Sequence, residues 1–160
     1  MTNSPIPIQN QCGATLIVAL VMLLLISLLA VGGMQSSILQ ERMASNAHDG
    51  SIAFQASEAA LRQAETDLLN IIATRQAASG TARLATPWDW DGISPASSGV
   101  GNVGTQVNSE PVYHHARLAD ICPIDPTEPC FERFVVTSRG EGGSPDAIAV
   151  LQSTVLLPPE

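Results

Sequence analysis

The chain has 160 residues, enough for one domain of ordinary size. It carries 15 acidic and 7 basic residues, and its net charge of -8 disfavours nucleic acid because phosphate backbones are repelled. All the basic residues are arginine, so isopeptide-linked assembly through lysine is excluded. The sequence contains no glycine-rich phosphate loop, GxSxG elbow or HExxH helix, so we predict neither an enzyme nor a cofactor site.

An apolar tract follows a short leader, Met1 to Gly13, that has no basic residue to fix its orientation. From Ala14 to Gly33 the only polar side chains are Thr15 and Ser27. A helix of that length, rising about 1.5 Å per residue, matches the ~30 Å hydrocarbon layer of a bilayer. The sequence therefore predicts a membrane-spanning helix over residues 14–33 and a processing point just before it, at Gly13, so that the helix is retained.

Residues 34–78 continue the helical pattern as an amphipathic segment without proline. We expect one helix from the membrane to about Ala78, softest at Gly32-Gly33 and at Gly50, because glycine costs about 1 kcal/mol in a helix interior. Two neighbouring rows of this helix are expected to pack on a sheet. Their members are Ala47, Phe54, Leu61 and Leu68 in one row, and Ser57, Ala64 and Ile71 in the other.

Residues 79–160 predict a β-rich globular part. It begins with an irregular loop, Ser79 to Gly104, in which one or both of Trp88 and Trp90 cover the core. Asp89 and Asp91 lie in this loop, but two carboxylates without further oxygen ligands are a weak calcium pattern. Three segments rich in β-branched and aromatic residues predict antiparallel strands, with a glycine-rich turn between the last two. These strands are Val112 to Ile121, Phe131 to Ser138 and Ala147 to Leu157.

Two of the three cysteines, Cys122 and Cys130, enclose a short segment with three prolines. Proline reduces the entropy lost on closing such a loop, and an exported domain is compatible with a disulfide, so we predict a bridge between them; two free thiols are the alternative. His114 and His115 are adjacent and would point to opposite faces of a strand, so they cannot share one metal. We expect both to be surface or edge residues, and no metal site is predicted.

Two strings within the long helix resemble a known family. They are LQERMASN, from Leu39 to Asn46, and AFQASEAALR, from Ala53 to Arg62. With the glycine before the apolar tract, they make residues 13–65 similar to the N-terminal region of the PilX-type minor pilins, within the type IV prepilin family. The end of the chain, from Val135 to Thr154, is also similar to the C-terminal hairpin of that family. The resemblance implies a pilin-like α+β fold, in which a long N-terminal helix, first membrane-spanning and then amphipathic, packs on a small antiparallel sheet.

The resemblance also implies processing. A prepilin peptidase would cut after Gly13 and the new N-terminal residue, Ala14, would be methylated, while Cys12 would leave with the leader. Most pilins carry a glutamate as the fifth residue after the cut, where it pairs with a neighbour's N-terminal amine; here that residue is Val18. A subunit without this carboxylate suits the tip or the initiation of a fibre, where no subunit lies above it. The alternative is that Val18 is a habit of the subfamily.

The function implied by the resemblance is that of a minor pilin, a non-covalent, membrane-anchored subunit that primes or caps a type IV pilus and so serves twitching motility and cell adhesion. Expected partners are other minor pilins, the major pilin, the prepilin peptidase and the inner-membrane assembly platform; a tip adhesin is a further candidate. The expected location is the bacterial inner membrane, with a periplasmic C-terminal domain, and then the pilus tip. Two alternatives stay open: a minor pseudopilin of a type II secretion system, and a secreted binding module whose apolar segment is a cleaved signal peptide.

Overall fold

The computed structural model describes residues 12–104, 106–125 and 127–159. Most of the predicted leader, residues 1–11, lies outside these described residues. The chain divides into two compact units, Met1–Ala44 and Ser45–Glu160. In chain order the elements are the helices α1 (Cys12–Asn70) and α2 (Ile72–Ser79), a 3₁₀ turn (Pro87–Asp89), and the strands β1 (Gly99–Val100), β2 (Val112–Ile121), β3 (Phe131–Glu141) and β4 (Ile148–Leu157).

The sheet is a four-stranded antiparallel meander in the order β1-β2-β3-β4. Strands β2, β3 and β4 occupy the three segments that the sequence predicts, whereas β1 is a short addition within the predicted loop. The pairing of β3 with β4 runs without a register shift from Glu132 opposite Leu157 to Glu141 opposite Ile148. The long helix packs on this sheet, which confirms the predicted α+β pilin-like fold.

Small side chains form the face of α1 that packs on the sheet. The fully or almost fully buried helix residues are Ala53, Ala56, Ser57, Ala60, Ala64 and Leu68. Such a row lets the backbone of α1 approach the backbone of the sheet closely. The sheet residue at this contact is Gly140, where a Cβ would lie 2.4 Å from the Ser57 nitrogen. The buried Ser57 and Ser138 hydroxyls satisfy each other at 2.8 Å. A close helix–sheet contact therefore replaces large interlocking side chains at this point.

The predicted packing rows are only partly right. Ser57, Ala64 and Leu68 are buried and Leu61 packs against the core, but Ala47, Phe54 and Ile71 are exposed. The buried face follows the alanine row instead, because small residues permit the close approach to Gly140. Phe54, at 49% exposure, lies on the flank of the helix.

The long helix ends earlier than predicted. α1 passes without interruption through Gly32-Gly33 and Gly50, but it stops at Asn70, and Ile71 has an extended backbone with φ -121° and ψ 103°. Arg75 caps the end of α1, because its guanidinium donates to the Leu68 carbonyl at 2.7 Å and to the Leu69 carbonyl at 3.3 Å. These bonds satisfy carbonyls that a continuing helix would have used.

The loop before β2 covers the second face of the sheet. Trp90 is buried and donates its indole N–H to the Pro95 carbonyl at 3.0 Å, whereas Trp88 is 72% exposed. His114 bonds to the Ala82 carbonyl at 2.9 Å, beneath this loop. The expectation that His114 and His115 lie at the surface is wrong, because both faces of the sheet are covered and the two residues are only 3% and 4% exposed.

Candidate functional site: an uncovered apolar helix

The residues predicted to be processed lie at the start of α1. Gly13 and Ala14 are in its first turn and Val18 is in its second, with 58% of Val18 exposed. No acidic side chain stands in the first turn of this helix. The positive end of the helix dipole is therefore not compensated by a carboxylate of that turn. The structure thus places a helical, apolar surface around Val18.

The first half of α1 is apolar on all sides. Every large apolar side chain between Leu16 and Val31 is exposed, and the most apolar window has a mean hydropathy of 3.0 with none of it buried. A helix that is hydrophobic all round requires an apolar environment, either lipid or other helices. Within the described part of the chain this is the one helix long and apolar enough to cross a membrane.

The polar groups of this segment are compatible with lipid. Ser27 donates its hydroxyl to the Leu23 carbonyl at 2.7 Å, one turn earlier, so it needs no partner outside the helix. A Cβ at Gly32 or Gly33 would meet no described atom within 4 Å outside the nearby helix backbone. These glycines leave a shallow surface on which another helix could pack closely.

Within the second unit, Ser45–Glu160 (the soluble unit), a carboxylate clamp that the sequence did not suggest fixes α1 to the sheet. Asp49 accepts the N–H of Gly143 and the N–H and hydroxyl of Ser144, in the turn between β3 and β4. The Ser144 hydroxyl, the largest cause, and these backbone donors lower the pKa of Asp49. The sequence shows only a glycine-serine turn, whose backbone N–H groups can bind a carboxylate. It does not show that the carboxylate is that of Asp49, because Asp49 lies far from this turn along the chain.

Ion pairs join α2 to the β2–β3 hairpin, and a hydrogen bond joins α1 to β2. Glu132 lies 2.9 Å from the Arg117 guanidinium and 3.7 Å from that of Arg75, and Arg117 also pairs with Asp120 at 2.9 Å. Tyr113 donates to the Asp67 carboxylate at 2.7 Å, and burial, followed by this bond, raises the pKa of Tyr113 to about 12. These contacts stabilise the fold, since each of these charged or hydroxyl groups is paired with another side chain of the same chain.

The remaining predicted residues give no sign of metal or catalytic chemistry. Cys122 and Cys130 form a disulfide that closes the β2–β3 connection. Asp91 uses its carboxylate to accept the N–H groups of Ile93 and Ser94, both at 2.8 Å. Burial lowers the pKa of His115, with a smaller contribution from His114. Among the described residues no cluster of histidine, cysteine or carboxylate side chains could hold a metal ion.

A comparison with protein families identifies the helix. Residues 13–62 match the family described as PilX N-terminal. The N-terminal region of this chain is therefore similar to that of the PilX-type pilins. The match covers the apolar tract and both strings that carry the resemblance, so that interpretation is confirmed. No curated protein and no solved structure matches the chain.

The family and the geometry agree on the class of function. PilX-type pilins are minor pilins, structural subunits of the type IV pilus that associate with other pilus components. The uncovered apolar half of α1 has the length and composition of a membrane-spanning helix, as a membrane-anchored subunit would require. The candidate functional site is therefore this helix, and the soluble unit is the part that it carries.

Proposed function

We propose that the chain primes assembly of a type IV pilus, or caps it, together with other minor pilins. A prepilin peptidase removes residues 1–13 and Ala14 is methylated, after which the helix stays in the inner membrane with the soluble unit in the periplasm. The observation that carries this proposal is the exposed apolar half of α1 within the region that matches PilX N-terminal. The position in the fibre is the tip.

Assembly exchanges one apolar environment for another. In the membrane the helix is surrounded by lipid tails, which are about as apolar as leucine, so hydrophobicity alone does not favour the fibre. Close packing of small side chains favours it instead. The candidate packing residues are Ala14, Ala19, Ala30, Gly32 and Gly33.

Val18 supports the terminal position. A subunit with valine there offers no carboxylate to the N-terminal amine of a subunit above it, and a terminal subunit needs none. The expected partners are the other minor pilins and the major pilin beneath it, the assembly platform in the membrane, and a tip adhesin above. The chain itself performs no catalysis in this scheme, since the peptidase and the methyltransferase are separate enzymes.

Deletion of the gene tests this role. We expect surface pili and twitching motility to be lost or strongly reduced while the major pilin remains stable in the membrane, because initiation and not subunit supply is removed. Normal pili in the deletion strain, with a defect in protein secretion, would point to a minor pseudopilin instead. Complementation with the unaltered chain is the control.

A further inference from the structure

The outer edge of β4 is unprotected. β4 has 10 residues at one edge of the sheet, whereas the opposite edge strand, β1, has only 2. Residues 148–157 contain no charged side chain and no proline, and their pairing with β3 has no bulge. Soluble proteins normally protect a long edge with these devices, because unpaired N–H and C=O groups invite another strand.

The direction of each backbone group in β4 follows from the hydrogen bonds of the sheet. Ser98 donates its N–H to the Tyr113 carbonyl at 2.7 Å, so Tyr113 points its backbone groups away from β3. Ser138, opposite Tyr113, must then bond to β4, where it faces Leu151. The neighbours of Leu151 therefore point outward. The outward residues are Ile148, Val150, Gln152, Thr154 and Leu156.

These outward groups have no backbone partner within the described part of the chain. On both faces of the sheet, apolar side chains lie next to this edge and could contact an added strand. On the helix side, Glu65 accepts from the Ser153 hydroxyl at 2.7 Å, and helical spacing places Phe54 and Leu61 on the same flank of α1 as Glu65. On the other side, the exposed ring of Trp88 lines a groove of about 280 Å³ together with β4 residues.

We propose that β4 binds an extended segment of a different protein chain, which adds a strand to this edge of the sheet. Backbone hydrogen bonds to the outward groups give the affinity, and alternate side chains of the segment contact the flank with Phe54 and the groove with Trp88. The segment is therefore rich in apolar residues at every second position. This inference goes beyond the proposed function and does not require that the chain primes a pilus.

A second copy of this chain is a poorer occupant for two reasons. The net charge of -8 repels a second copy, whereas it does not repel a neutral or basic partner. Antiparallel pairing of two identical edges would also reverse one copy relative to the other. The two Ser45 residues, where the second unit begins in each chain, would then lie at opposite ends of the joined sheet, although the apolar tract precedes Ser45 in both chains.

Photo-crosslinking in membranes of the native host tests the occupant. The full chain carries benzoylphenylalanine in place of Leu156, whose side chain is exposed and whose backbone groups point outward. We expect one main adduct, mapped by mass spectrometry to an extended apolar segment of a different protein. An adduct with this chain itself, or no adduct, would overturn the proposal.

A proline–alanine pair separates strand addition from ordinary side-chain contact. Thr154→Pro, in the same crosslinking chain, removes an outward N–H without removing a bond to β3, and edge strands tolerate proline. We expect the adduct to fall at least ten-fold, while Thr154→Ala stays within two-fold of the unaltered chain. An equal yield from both variants would contradict recognition through the backbone.

If Thr154→Pro fails to fold, hydrogen exchange tests strand addition on the crosslinking chain that keeps Thr154. The free full chain in detergent is compared with the crosslinked complex. We expect the amides of Val150, Gln152 and Thr154 to exchange at least ten-fold more slowly in the complex, while those of Leu151 and Ser153 change less than two-fold. Equal protection of both sets, or protection of neither, would overturn strand addition.

Discussion

Replacement of Gly140 by alanine should strongly destabilise the soluble unit. The new Cβ would lie 2.4 Å from the Ser57 nitrogen and 2.6 Å from the Ala53 carbonyl oxygen, distances that Cβ atoms essentially never show. Both obstructing atoms are backbone, so no rotamer change relieves the contact, and α1 must move away from β3 by about 1 Å. A gap of about 0.5–1 Å forfeits roughly a quarter to a half of the dispersion energy between facing atoms.

The loss extends along the interface, because Ala64 and Leu68 are fully buried on the same face of α1. Overpacking of a dense core typically costs about 1–3 kcal/mol, and a clash with fixed backbone belongs at the upper end. We therefore expect a loss on the order of 3 kcal/mol. For a domain of this size that corresponds to a fall in melting temperature of roughly 10 °C or more.

The assay is thermal unfolding of the full chain in detergent, followed by the fluorescence of Trp90 and Trp88. Gly50→Ala is the matched control, because it lies in the same helix and its Cβ would meet no described atom within 4 Å outside the nearby helix backbone. Better helix propensity should raise the stability of this control by about 1 kcal/mol. A Gly140→Ala chain that melts within about 2 °C of the unaltered protein would refute the close helix–sheet contact.

Three further predictions concern titration and position. Tyr113 is the only tyrosine, so a titration followed by the ultraviolet absorbance of tyrosinate should give its pKa at about 12. The contribution of Tyr113 to the free energy of unfolding is complete below pH 10.0 and is lost as the pH rises through 12. A titration midpoint near 10.0 would contradict the burial of Tyr113 and its bond to Asp67. The pKa of Asp49 is lowered from 3.8, chiefly by the Ser144 hydroxyl, so its contribution is present above 3.8 and is lost as the pH falls. Asp49→Asn should therefore melt earlier at neutral pH and lose part of the acid dependence of the melting temperature; an unchanged acid dependence would argue against the clamp. Val18→Glu should impair piliation in a complemented deletion strain if Val18 marks a terminal subunit, whereas full piliation with the variant spread along the shaft would exclude that role.

The sequence predicted what depends on local pattern. The apolar tract from Ala14 to Gly33 has the composition of a spanning helix, and the three strand segments carry β-branched residues between glycine and proline signals. These patterns were sufficient for the α+β fold. The family resemblance rested on two strings within one helix and was confirmed over residues 13–62.

Features that depend on tertiary packing were missed. Phe54 looked like a core residue because a large apolar side chain contributes more than alanine to a hydrophobic pattern. The close approach of α1 to Gly140 instead requires small side chains at the contact, so alanines are buried there and Phe54 is not. His114 looked exposed because a loop that covers the second face of a sheet leaves no periodic pattern in the sequence, and His115 because it faces the helices on the other side. The end of α1 at Asn70 was missed because the bonds that Arg75 makes to the last helix carbonyls are visible only in the folded structure.

The mass of the mature N-terminus tests the central claim most directly. If α1 is retained as the anchor and assembly surface, the chain purified from native membranes begins at N-methylated Ala14 and contains the whole tract to Gly33. A mature chain that begins near Gly33, with the tract removed, would contradict the account, because the apolar helix would then be a discarded signal peptide.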